Sequence, residues 1–388
     1  MSSSIDPVAI DRVLQDAVDS GAVPNVAAIA ADRNGIIYEG AAGPKAAGTD
    51  EPLSTSTHFR IMSMTKMVAT AAALQQVEKG TLDLSAPIKE YCPEFADVQV
   101  LDGWDGDTPR LRAPASDATV HQLVTHTSGL GYWFWSEDLV KWEAATGTPN
   151  VLSGANVIFT APLLADPGTT FIYGINTDWL GKVVEAASGV TLDVAVKEGI
   201  TGPLGMNDTA FQIAEGWKDS TTPVHVKTDD GWVDSGIELN QTPEYYAGGH
   251  GLYSTPQDYI KFQQALLNNG ELGGVRILRS ETVDAAFTNQ IGDLSFPEAI
   301  PTADPTATYE FNAGPGYKWG YGLLLNENDI PGMRRAYSGA WAGLCNTHFW
   351  VDRTTGVCGS IYSNFLPFVP PEALELYANY EKALYASL

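Results

Sequence analysis

The chain has 388 residues, more than one hydrophobic core usually serves, so two domains or one bilobed unit are expected. With 44% hydrophobic and 18% charged residues, its composition is that of a globular protein rather than a disordered one. Its 22 basic residues against 47 acidic ones leave a net charge of −25, which repels phosphate backbones and anionic lipid headgroups and argues against nucleic-acid and membrane partners. The first residues, Met1-Ser2-Ser3-Ser4, carry no basic stretch followed by an apolar one, and no later run is apolar enough to span a bilayer, so a cytoplasmic location is the expectation. Cys92, Cys345 and Cys358 lack Cys-x-x-Cys spacing and read as small core residues.

In chain order, Pro7 to Gly21 carries Val8, Ile10, Val13, Leu14 and Val18 near helical spacing, with Gly21 as a stop. Apolar stretches from Val23 to Ala31 and from Ile36 to Ala42 flank Asn34-Gly35, a step that favours the positive φ angles of a hairpin turn. Helical periodicity follows in Met64 to Lys79, Thr119 to Leu123 and Asp178 to Ala187, amid loops rich in Gly, Pro and Asp. The segment Ile291 to Gly316, with four prolines, is long enough to border a cleft. Strands are expected at Arg335 to Ser338, Thr347 to Val351 and Val357 to Tyr362, and a last helix from Pro371 to Leu384. The order implies an α/β (α+β) fold in which residues 1–57 and 230–388 build an antiparallel sheet flanked by helices. Residues 58–229 form an inserted, mostly helical domain, and the active site lies in the cleft between them.

Ser63 stands three residues before Lys66 at the start of an apolar helical stretch, so the two share a helix face. A serine hydroxyl becomes a nucleophile only when something takes its proton, and a lysine can do so if burial lowers its pKa. A helix amino terminus also offers backbone N–H groups to an oxyanion. The pair is the chain's single Ser-x-x-Lys, and its surroundings are hydrophobic, where a lysine needs a reason to be.

Three further segments stand in order behind it: Val120 to Leu130, ending His126-Thr127-Ser128-Gly129-Leu130; Pro167-Gly168-Thr169-Thr170-Phe171-Ile172-Tyr173-Gly174; and Gly248-Gly249-His250-Gly251-Leu252, running on to Tyr259. Together with Ser63 to Lys66 they resemble, over nearly the whole chain, the serine hydrolases comprising class C β-lactamases, D,D-carboxypeptidases and family VIII carboxylesterases. The resemblance implies a β-lactamase/penicillin-binding-protein-like fold, Ser63 as the acylated nucleophile, Lys66 as its proton partner and Tyr173 as a second acid/base group. Which of Lys66 and Tyr173 is the base is open at this level.

Departures from the lactamase pattern point to the substrate. Ile175 stands where the Tyr-x-Asn asparagine belongs, with Asn176 one later, and no Lys-Thr-Gly occurs. In its place Trp341-Ala342-Gly343-Leu344, followed by Phe349-Trp350-Val351-Asp352, resembles the Trp-Gly-Gly element of the family VIII esterases. That match implies an oxyanion hole from the backbone N–H groups of Ser63 and Leu344. An indole in place of a cation favours a neutral or apolar ester over an anionic penicillin-like acid. Trp341, Gly343, His250 and the aromatic run Tyr132, Trp133 and Trp135 are the candidate substrate contacts.

No Gly-x-Ser-x-Gly elbow, His-Glu-x-x-His, phosphate loop or dinucleotide fingerprint is found, so no metal or cofactor is implied. The expected activity is that of a serine carboxylesterase on small to medium esters, with acyl transfer where an alcohol or amine outcompetes water. A β-lactamase or D-amino-acid amidase or peptidase using the same residues is the alternative, and a binding protein that kept the fold without the chemistry is a third.

Overall fold

A capped helix begins the described chain, which runs from residue 5 to residue 388 in this computed structural model. In α1 (Pro7–Asp19) the Asp6 carboxylate accepts from the Val8 N–H at 3.1 Å and Pro7 fills the first turn. Gly21 leaves the helix at φ +68°. Strands β1 (Val26–Asp32) and β2 (Ile36–Ala42) follow as a hairpin, but its turn is not the expected one. Neither Asn34 nor Gly35 takes a positive φ. Instead the Asp32 carboxylate accepts from the N–H groups of Asn34 (2.7 Å) and Gly35 (3.0 Å), and the register shifts between Ala30 and Ala31.

The remaining strands of this sheet come from the other end of the chain: β3 (Tyr317–Trp319), β4 (Leu324–Asn326), β5 (Gly339–Gly343), β6 (Thr347–Asp352) and β7 (Val357–Tyr362). Seven strands run β3-β4-β5-β6-β7-β1-β2, with every neighbouring pair antiparallel and Ala27 facing Tyr362. The strand expected at Arg335 to Ser338 is a turn. Tyr337 sits at φ +58°, the Arg335 N–H donates to Asp352 at 3.0 Å, and extended structure starts at Gly339.

Between the two ends lie α2 (Thr65–Lys79), α3 (Val120–Val124), α4 (Glu137–Thr146), α5 (Asn176–Ser188), α6 (Leu192–Val196), α7 (Pro256–Leu267) and α8 (Ser280–Ala286), and α9 (Pro371–Ser387) closes the chain. Alternation along β1 divides the core. Val26, Ala28 and Ala30 join Ile10, Leu14, Leu376 and Tyr380 of α1 and α9, while Ala27, Ile29 and Ala31 join the larger core that includes Phe262 of α7. Both faces are therefore covered, which is why Val26 to Ala31 reads as unbroken apolar sequence.

Helix α2 is buried from Thr65 to Gln76, so Lys66 rides on a core helix. Segment 291–316 folds back through a short antiparallel pairing of Ala299–Ile300 with Phe311–Asn312. It is tied to the aromatic run by Ala303 N–H donating to the Phe134 carbonyl (2.8 Å) and by the Trp133 indole donating to Asp304 (3.2 Å). Cys92, Cys345 and Cys358 are buried and free. Among the described residues, no helix is long and apolar enough to cross a membrane.

Candidate active site

Ser63 lies not in α2 itself but in the single 3₁₀ turn Met62–Met64 that leads into it. Met62 holds that turn with φ +46°, a strained value for a residue with a side chain. Three groups brace the turn. Thr347 Oγ1 donates to the Ile61 carbonyl (3.2 Å), the Tyr259 phenol donates to the Met64 carbonyl (2.9 Å), and the Leu252 N–H donates to Thr65 Oγ1 (3.1 Å). The last strand residue of β5, Gly343, also lies against it: a β-carbon there would run into the Ile61 carbonyl oxygen and the Thr347 hydroxyl. Gly343 therefore acts through its lack of a side chain, bringing the end of β5 and the following Leu344 beside the serine turn.

Lys66 Nζ, only 1% exposed as a residue, has three neighbours: Ser63 Oγ at 3.1 Å, the Tyr132 phenol oxygen at 2.9 Å and the Gly249 carbonyl at 2.8 Å. Burial lowers its pKa, and the buried Asp178 partly offsets this. Asp178 in turn accepts from the Gly249 N–H (3.0 Å) and the Tyr132 phenol (3.4 Å), with His250 Nδ1 3.8 Å away. Burial raises the Asp178 pKa while Lys66 lowers it. Sequence reasoning missed Asp178 altogether. The signal was present: an acid five residues past Tyr173, next to Trp179 and Leu180 on a buried face.

Tyr173 is buried beside this cluster, its ring 4.7 Å from Lys66 Nζ. Its phenol oxygen accepts from the Trp341 indole N–H at 2.8 Å. Burial raises its pKa, and hydrogen bonds with the Ser63 side chain and Trp341 pull against that rise. His126, at φ +55°, packs its ring 4.7 Å from that of Tyr173. Its pKa is far below the ordinary histidine value through burial and the nearby Lys66, so the ring is neutral there.

The sequence-derived substrate contacts separate. Tyr132 and Trp341 are hydrogen-bonded into the Lys66 and Tyr173 cluster, and Tyr132 also lines the cavity beside it. Trp135, with Leu164, Phe171, Tyr173, Ile300 and Pro301, lines a cavity of about 250 Å³ that opens beside the cluster. Trp133 lines a different, much smaller hollow, and His250 borders another next to Tyr245 and Tyr246. Asn176 faces neither: it accepts from Ser128 Oγ (2.5 Å) and donates to the Leu130 carbonyl (3.1 Å), fastening the His-Thr-Ser-Gly-Leu turn.

Known proteins resemble the chain over most or nearly all of its length. The chain is 32% identical over 371 residues to the lovastatin esterase of Penicillium rubens, covering 90% of this chain and 91% of that protein. It is 29% identical over 413 residues to the monacolin J acid methylbutanoyltransferase of Aspergillus terreus, covering 99% and 97%. The unliganded simvastatin synthase of Aspergillus terreus superposes with a TM-score of 0.83 at 26% identity, over 98% of each chain. Residues 10–383 match the model of the beta-lactamase family, and the chain belongs to that family.

Proposed function

We propose that the protein is a serine carboxylesterase that forms an acyl-enzyme on Ser63 with Lys66 as base, and passes the acyl group to water or to an alcohol. The observation that carries this reading is the surroundings of Lys66 Nζ. A neutral amine has two N–H bonds and one lone pair. The Gly249 carbonyl and the Tyr132 oxygen take the two N–H bonds, which leaves the lone pair for the Ser63 hydroxyl at 3.1 Å. Desolvation favours that neutral form.

In acylation, the Ser63 oxygen attacks the ester carbonyl as its proton moves to Lys66. The oxyanion is held by the backbone N–H groups of Ser63 and Leu344, each worth about 3 kcal/mol in the transition state. Tyr173, kept protonated by burial and in reach of Ser63, passes a proton to the departing alkoxide and recovers it through the Lys66 cluster. Water or an alcohol then enters by the same path in reverse.

The acyl group lies in the cavity lined by Trp135, Phe171 and Ile300, whose size and apolar walls suit small to medium neutral acyl chains. Both relatives are named for this chemistry, one as an esterase and the other as a methylbutanoyltransferase, which supports ester cleavage and acyl transfer as one activity with two acceptors.

The test is a comparison of p-nitrophenyl acetate and butyrate with nitrocefin, for the native protein and Ser63→Ala, with and without an added alcohol. Ester cleavage lost in the variant, little nitrocefin turnover and a new ester formed with the alcohol are expected. Nitrocefin turned over in preference to the esters would make the protein a lactamase, and activity surviving in Ser63→Ala would remove Ser63 as nucleophile.

A further inference from the structure

Asp178 is a fully buried carboxylate, and no lysine or arginine among the described residues is in direct ion-pair contact with it. Its nearest basic neighbour, His250 at 3.8 Å, is neutral, because burial and then Lys66 lower its pKa to about 3. A buried charge without a touching counter-ion is costly, and the cost falls away when the group takes a proton.

Two groups stand between Asp178 and Lys66. The Gly249 peptide donates its N–H to Asp178 Oδ1 (3.0 Å) and accepts from Lys66 Nζ at its carbonyl (2.8 Å). The Tyr132 hydroxyl accepts from Lys66 Nζ (2.9 Å) and donates to Asp178 Oδ2 (3.4 Å). The peptide bridges the pair without exchanging protons, whereas a hydroxyl takes a proton on its oxygen while releasing its own. With Ser63 Oγ 3.1 Å from Lys66 Nζ, the order Ser63, Lys66, Tyr132, Asp178 is an unbroken chain of hydrogen bonds leading away from the nucleophile. The Tyr132 ring is held in place by stacking on Phe134, with centroids 5.0 Å apart, and burial, then Asp178, keeps its phenol protonated.

We propose that Tyr132 and Asp178 form a proton relay behind Lys66, in which Asp178 is where the serine proton rests during acylation. The inference rests on the serine-esterase reading and deepens it. Lys66 starts as the amine and Asp178 as the carboxylate. As the Ser63 oxygen bonds to the acyl carbon, its proton passes to Lys66 Nζ, a Lys66 proton passes to the Tyr132 oxygen, and the Tyr132 proton passes to Asp178 Oδ2. Lys66 is again an amine, Tyr132 again a phenol, and Asp178 a neutral acid. When the bond to the leaving alcohol has broken, the proton returns along the same chain to Lys66, from which Tyr173 recovers the one it gave to the alkoxide.

The test is kcat/KM on p-nitrophenyl butyrate in mixtures of H2O and D2O, for the native protein, Tyr132→Phe, Asp178→Asn and the double variant, with Ser63→Ala as control. Tyr132→Phe keeps the ring on Phe134 and removes only the hydroxyl. In the native protein several protons move together, so the rate is expected to fall along a bowed curve as the D2O fraction rises, and each single variant should give a straight line. Each single variant is expected to lose at least about tenfold, and the double variant no more than the larger single loss, since either change breaks the same chain. A straight line for the native protein, losses that multiply in the double variant, or undiminished kcat/KM in Tyr132→Phe would overturn the relay while leaving the esterase reading intact. Cleavage that survives Ser63→Ala would overturn that reading, and the relay with it.

Discussion

Lys66 stands between two opposed influences, burial that favours the amine and the Asp178 carboxylate that favours the ammonium ion. With Lys66 as the proposed base, activity needs the amine, so kcat/KM is expected to fall as pH drops through the Lys66 pKa, and this acid limb lies below the ordinary lysine range. Asp178→Asn keeps an acceptor for the Gly249 N–H but removes the charge, lowering the Lys66 pKa further. Its acid limb is therefore expected to move to lower pH, and an unmoved or raised limb in the pH profile would disconnect Asp178 from Lys66. Tyr173→Phe is expected to lower kcat on p-nitrophenyl butyrate at least about 100-fold, the size of a general acid/base contribution. Trp341→Phe deletes one hydrogen bond to that phenol and should cost about tenfold in kcat with KM little changed. Ser63, Lys66 and Tyr173 could be singled out because each sits in a short motif, the first two by their spacing and Tyr173 by the family resemblance, and the structure brings the three together. Tyr132 and Asp178 were not read as partners of Lys66, because that contact joins three separate segments; an acid on a buried helix face marks Asp178 as unusual but does not say which group it meets. Tyr132 lines the cavity as well as meeting Lys66, and an aromatic run gives no sign that one phenol does both.

At the scale of elements, the serine turn depends on what its neighbours lack. Gly343→Ala pushes a methyl group into the Ile61 carbonyl and the Thr347 hydroxyl, both of which belong to the bracing of Ser63. Displacing the turn by a fraction of an ångström is enough to lower kcat/KM by about 100-fold. Esterase kinetics together with a melting curve separate this from global unfolding. Four of the seven strands, β1, β2, β6 and β7, could be read from apolar runs, β2 and β7 with their expected spans, whereas β3, β4 and β5 were not read as strands. The two misplacements have one cause. Asp32 and Asp352 use their carboxylates to organise backbone N–H groups, at Asn34 and Gly35 in one turn and at Arg335 in the other. Side-chain capping of this kind overrode the Asn-Gly turn preference and ended the expected strand at Arg335 to Ser338 before it formed. Asp352 reaches Arg335 only through the sheet, so periodicity within either segment carries no trace of it.

Across the whole molecule, α9 is held to the sheet by an ion pair between Arg334 and the fully buried Glu381, with the Tyr377 phenol as a further acceptor for Arg334 (2.6 Å). Glu381→Gln leaves the guanidinium without its counter-charge in an apolar setting and is expected to cost about 3 kcal/mol in urea unfolding. An unchanged midpoint would mean that solvent reaches the pair. The sheet order has a consequence for how the protein comes into being. The hairpin β1–β2, made first on the ribosome, waits for β7 as its neighbour, and Trp341 and Leu344 arrive with the same late strands. Until β5, β6 and β7 have emerged, Ser63 has neither its sheet support nor Trp341 and Leu344 beside it. Chains that stop before β7 should therefore be both unfolded and catalytically silent, and emergence of β5 to β7 should be the step that turns the enzyme on.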